Sequence, residues 1–88
     1  FFNFREDSIL QIAQAFANMK AIVEKGGGRI GDIAKVTVYL KDRKDRDLVN
    51  DEWVKMFPDE NDRPCRHTVA GDMQGNRIIQ MEFVAVVA

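Results

Sequence analysis

The side chains able to do chemistry crowd into one short stretch, Pro64-Cys65-Arg66-His67-Thr68-Val69. Cys65 and His67 are two residues apart, which on an extended strand places both on one face, where they could meet. One cysteine and one histidine do not complete a zinc site without carboxylates or a second chain. Neither Ser-His-Asp nor Cys-His spacing for nucleophilic catalysis is recognisable, and most such Cys/His neighbours are incidental. Arg66 falls on the opposite face, together with Pro64 and Thr68. An arginine inside an otherwise apolar strand is either a surface charge at a sheet edge or a planar, bidentate anchor for a carboxylate. On the residues alone the edge reading is favoured.

Two other stretches invite chemistry and have plainer readings. Gly26-Gly27-Gly28 resembles a phosphate-binding turn in composition, but phosphate loops run strand, glycines, helix, followed by Gly-Lys-Ser/Thr. Here the order is helix, glycines, strand, so a helix C-cap and turn is the expectation. Lys41 to Asp47 is a run of charges of alternating sign. It reads as a solvated loop and first helical turn, with Asp45 or Asp47 near the positive end of the helix dipole.

The elements that must position these residues centre on Asp32 to Asp42, β-branched and aromatic in its middle. Alternation puts Ala34, Val36, Val38 and Leu40 on a dry face and Lys35, Thr37 and Tyr39 on the other. Before it, Phe1, Phe2 and Phe4 suggest a short strand or packed arm, and Ser8 with Gln11 has the form of a capping box that opens a helix. Ile9, Ile12, Ala13, Phe16, Met19, Ile22 and Val23 continue that helix as an apolar stripe. A second helix is expected from about Asp47 to Phe57, with Leu48, Val49, Trp53, Met56 and Phe57 inward, ended by Pro58. Pro64 then sets an extended segment through Ala70. Hairpin chemistry appears in Gly71-Asp72 and Gly75-Asn76. A last strand, Arg77 to Val87, alternates Ile79, Met81, Phe83, Ala85 and Val87 against Ile78, Gln80, Glu82, Val84 and Val86. The order is α-β-α-β-β: an α+β, two-layer sandwich with two helices on one face of a small mixed sheet.

Composition narrows the function classes. The 88 residues make one domain with a thin core, for which oligomerisation is a natural remedy. A formal net charge of −1 offers no basic surplus for a phosphate backbone, which argues against a nucleic-acid partner. At 45% hydrophobic and 31% charged residues, neither disorder nor a membrane partner is indicated. A lone cysteine and no visible signal peptide make the cytoplasm the default compartment. The start at Phe1 reads as the interior of a longer sequence or as the product of processing.

From about Gln11 to Ala88 the chain resembles the Rid (reactive intermediate deaminase, YjgF-type) family. The resemblance is carried by Asn18-Met19-Lys20-Ala21-Ile22-Val23-Glu24, Gly31 to Asp42, Val49-Asn50, Arg63-Pro64-Cys65-Arg66-His67-Thr68-Val69 and Glu82-Phe83-Val84-Ala85. It implies a chorismate-mutase-like fold over residues 1–88, assembled as a homotrimer with sheets packed into a central barrel and clefts between subunits. It also implies hydrolysis of small enamines and imines derived from amino acids to 2-keto acids and ammonia, without metal or organic cofactor. Arg66 falls on the family's substrate-carboxylate arginine, Asn50 on a cleft asparagine, and Thr68 on a position that is often Cys or Thr. Asn50 as an exposed helix residue and Thr68 as a plain strand former are the alternatives. Gln80 stands where deaminating members carry a glutamate that positions or activates water, and an amide exchanges no proton there. Glu82 is two residues further on the same face. The family's usual strands before the first helix have only Phe1 to Asp7 in their place. A non-catalytic holder of small carboxylates, or a degenerate trimeric protein without activity, is therefore the alternative to a deaminase.

Overall fold

A computed structural model describes residues 4–71, 73, 75 and 77–87, with the side chains of residues 4–6 outside the description. The elements are α1 (Phe4–Lys25), β1 (Ile33–Leu40), α2 (Arg46–Met56), β2 (Cys65–Ala70) and β3 (Ile79–Ala85), with single 3-10 turns at Ile30–Asp32 and Arg43–Asp45. The sheet order is β2-β1-β3, with β2 parallel and β3 antiparallel to β1. Both helices pack on one face of this mixed sheet, in the order α-β-α-β-β that the hydrophobic periodicities predict.

Burial follows the sequence periods. Ile12, Phe16, Met19 and Val23 from α1 meet Val36, Val38 and Leu40 from β1, and Leu48, Val49, Trp53, Phe57 and Ile79 close the core. The α1 seam is narrower than the expected stripe. Ile9 and Ile22 stay 43% and 60% exposed because the face against the sheet and α2 is filled by Ile12, Phe16, Met19 and Val23, at steps of four, three and four.

Several boundaries differ from expectation. Helix α1 is already under way at Phe4, so Ser8 lies inside it and does not open it. Gln11 is not a cap partner either. Its amide donates to Asp7 Oδ2 at 3.0 Å, one turn earlier, and accepts from the Ile78 amide at 3.2 Å, which ties α1 to the entry of β3. The expected arm at Phe1, Phe2 and Asn3 lies outside the described residues.

In β1, Ala34 is exposed while Ile33 is buried, because the register with β3 shifts between Ile33 and Lys35. One extra residue on β1 resets the inward alternation so that Ile33 and Val36 both point to the core. The last strand spans Ile79–Ala85, shorter than the Arg77–Val87 expected, with Ile79 buried and Met81, Phe83 and Ala85 half-buried on the inner side. The turn residues from Gly71 to Asn76 do not join a hairpin, since β2 and β3 flank β1 on opposite sides; of the two hairpin pairs, Asp72 and Asn76 lie outside the described residues.

The glycine run does what a C-cap requires. The Gly28 amide donates to Val23 O at 2.9 Å and the Gly27 amide to Glu24 O at 3.0 Å, a Schellman closure with Gly27 at φ 88°. The Arg29 amide then donates to Asp32 Oδ2 at 2.8 Å, which turns the chain into β1.

Candidate functional site

Arg66 sits in β2 with its Cα opposite Val36, and Thr68 opposite Val38, so both side chains are on the inner, helix-covered side of the sheet. Because β2 is an edge strand, that side is open laterally, and Arg66 is half-buried there. The strand is an edge, as the favoured reading of the residues has it, and the arginine is held there in a specific geometry. Its Nη2 donates to Asn50 Oδ1 at 2.6 Å, and its Cζ lies 5.2 Å from the centroid of the Trp53 ring. The amide oxygen of Asn50 is the right partner, since a guanidinium only donates.

Asn50 and Trp53 are three residues apart on α2 and so share a helix face. Trp53 is itself fixed against Phe57, with ring centroids 4.7 Å apart and planes tilted by 53°. The end of α2 is tied to the following loop by Arg63 Nε, which donates to Phe57 O at 2.7 Å. That bond sets where Pro64 and β2 begin. One N–H of Arg66 is thus used by Asn50 and its π-face by Trp53, while the remaining donors of the fork stay available to a ligand.

Beside Arg66 opens a cavity of about 560 Å³ lined by Leu40, Arg43, Arg46, Arg66, His67, Thr68 and Ala70. Among the described residues its lining carries three guanidinium groups and no carboxylate. The proton affinity of Arg66 is held below the ordinary arginine value, first by burial and second by the positive charge of Arg46. Two like charges brought together at a half-buried point define a place for an anion. Among the described residues, no group of three or more His, Cys, Asp or Glu is placed to hold a metal ion.

Three of the four residues singled out from the sequence come together here: Asn50, Arg66 and Thr68. Gln80 does not join them within one chain. Its Cα pairs with Tyr39, and it is exposed on the outer face of the sheet beside Glu82, whose Oε2 accepts from the Tyr39 hydroxyl at 3.4 Å. Cys65 and His67 do share a face, on that outer side, and both are exposed.

Arg43, Arg46 and Trp53 were not legible as site residues in the sequence. Arg43 and Arg46 read as part of a solvated charge run, whereas Arg43 opens a 3-10 turn and Arg46 opens α2, and both face the cavity. The expected dipole role falls to Asp47, in the first turn of α2, while Asp45 is buried at the N-cap and Asp42 Oδ1 accepts from the Lys44 amide at 3.0 Å. The signal that was there is spacing: Arg43, Arg46, Asn50 and Trp53 recur at steps of three, four and three, which places them along one helical face.

Residues 3–88 match the endoribonuclease L-PSP family. The chain belongs to that family. This agrees with the Rid-type motifs, and among curated members a 2-iminobutanoate/2-iminopropanoate deaminase of Salmonella typhimurium is 43% identical over 92% of the chain. A deaminase of the same description from the mite Dermatophagoides farinae is 32% identical over 84% of the chain. The chain spans 65% and 57% of the length of these two family members, respectively. A solved family structure, of a Salmonella typhimurium protein described as a proposed translation initiation inhibitor, superposes with a TM-score of 0.83 at 26% identity, covering 98% of this chain and 75% of that one. The family fold is thus the α+β, chorismate-mutase-like sandwich.

Proposed function

We propose that this chain hydrolyses small enamines and imines derived from amino acids to 2-keto acids and ammonia, with Arg66 holding the substrate carboxylate. The observation that carries the reading is the Arg66 fork, braced by Asn50 and Trp53 at the mouth of a cavity that no acid lines among the described residues. The names of the deaminase relatives support it. A carboxylate bound by parallel N–H donors fixes the adjacent C=N carbon, which converts a collision with water into an oriented addition. Water adds to that carbon to give an amino alcohol; a proton moves from oxygen to nitrogen, the C–N bond breaks, ammonia leaves and the keto acid remains. No electrons are exchanged, so the reaction asks for no redox partner or organic cofactor. Thr68, on the same strand face as Arg66, offers a hydroxyl that both donates and accepts.

Gln80 is assigned the positioning of water, through an amide that hydrogen-bonds but transfers no proton. Standing on the opposite sheet face from Arg66, it acts together with an arginine of a neighbouring copy, in the cleft of a homotrimer. The same residue favours the second reading, a holder of small carboxylates without turnover. The test is release of pyruvate and ammonia from freshly generated 2-iminopropanoate. Release above the spontaneous rate is expected, with a further rise in Gln80→Glu. A folded protein that binds pyruvate and releases nothing above the spontaneous rate, in either form, leaves the holder reading.

A further inference from the structure

Resting on the carboxylate-anchor reading of Arg66, we infer that the site is built for substrates with two acidic groups, the imines of acidic amino acids, with Arg46 receiving the second carboxylate. One carboxylate needs one guanidinium fork. The cavity presents Arg66 with Arg46 and Arg43 beside it, and among the described residues no acid lines it to neutralise them. Among the described residues the ion pair of this region joins Lys44 to Asp42. The groups that brace Arg66, Asn50 Oδ1 and the Trp53 ring, are already engaged with it.

The size of the space points the same way. About 560 Å³ lies in the range that encloses ligands of many heavy atoms (~300–1,000 Å³), well beyond what a three-carbon imine fills. Thr68 and Leu40 line it beside the arginines, so a short methylene chain has uncharged side chains to pack against. Arg46 opens α2 one turn before Asn50, so the second fork is carried by the same rigid element that braces the first. Phosphate would also fit two guanidinium forks, and the experiment separates it.

The test is calorimetric titration of the protein with 2-oxoglutarate, with 2-oxobutanoate and with inorganic phosphate alone, repeated in Arg46→Gln and Arg46→Lys. The stable keto acids read the site whether or not imines are turned over, so failure of the deaminase reading leaves this result intact. The dicarboxylate is expected to bind about tenfold or more tighter than the monocarboxylate, as one added charge-assisted contact implies. Arg46→Gln is expected to collapse that ratio to below about threefold, and Arg46→Lys to keep part of it, since the charge remains and the fork is lost. Equal binding of the two keto acids, a ratio unmoved by Arg46→Gln, or no binding of either would overturn the inference. Phosphate binding tighter than 2-oxoglutarate would overturn it in favour of a phosphoryl group.

Discussion

In the proposed reaction Arg66 holds the substrate carboxylate, and its surroundings make distinct predictions. Asn50→Ala removes the 2.6 Å contact that aims the fork, and is expected to weaken keto-acid binding about three- to tenfold while the melting temperature shifts little, because Asn50 is exposed. Titration with pyruvate beside a thermal melt checks this; a large fall in melting temperature would make the Asn50–Arg66 contact a structural tie. The pH dependence follows from the lowered proton affinity of Arg66. A base whose pKa falls on folding costs the folded state stability while it stays charged, and that cost is relieved only as pH rises through the strongly alkaline range. Arg66 therefore remains a cation throughout ordinary conditions, and keto-acid affinity is expected to be flat between about pH 6 and 9. Affinity that falls steeply within that range would contradict the arginine anchor.

At the scale of elements, the site is the product of an edge strand held against one helix. Its weak link is the reversal between α1 and β1. Gly27 adopts φ 88°, so Gly27→Ala is expected to destabilise the fold by about 1–2 kcal/mol, read from urea or thermal unfolding, with little change in keto-acid affinity. A neutral Gly27→Ala would mean that the cap contributes nothing. This cap was readable from composition, as was the inward side of β3, because glycine freedom and period-two burial are local properties. The position of Ala34 was not, since a bulge is decided by pairing with β3 and leaves no mark in β1 alone. The start of α1 misled for a related reason: Ser8 and Gln11 satisfy a capping pattern, yet Gln11 spends its amide on Asp7 and on Ile78, far along the chain. Likewise Arg43 and Arg46 looked like solvated charge until β2 brought Arg66 to them, a contact across twenty residues that no local pattern encodes.

For the whole molecule, the unsolved face is the outer side of the sheet. Val84 is 56% and Val69 36% exposed there, next to half-buried Thr37 and Tyr39, a mixed surface suited to burial against other copies. If sheets pack as the family resemblance implies, light scattering gives three times the 10.1 kDa chain mass, and Val84→Asp shifts the protein toward monomer. A wild-type monomer would remove the shared cleft and leave Gln80 without access to Arg66. The most direct test of Arg66 as the carboxylate anchor of a hydrolytic site is kcat/KM for freshly generated 2-iminopropanoate in the wild type and in Arg66→Ala, with folding of both checked by circular dichroism. The expected result is turnover in the wild type that drops by roughly two orders of magnitude in the variant, as loss of a bidentate charged contact implies. Turnover that survives in a folded Arg66→Ala protein would contradict the anchor and the mechanism built on it.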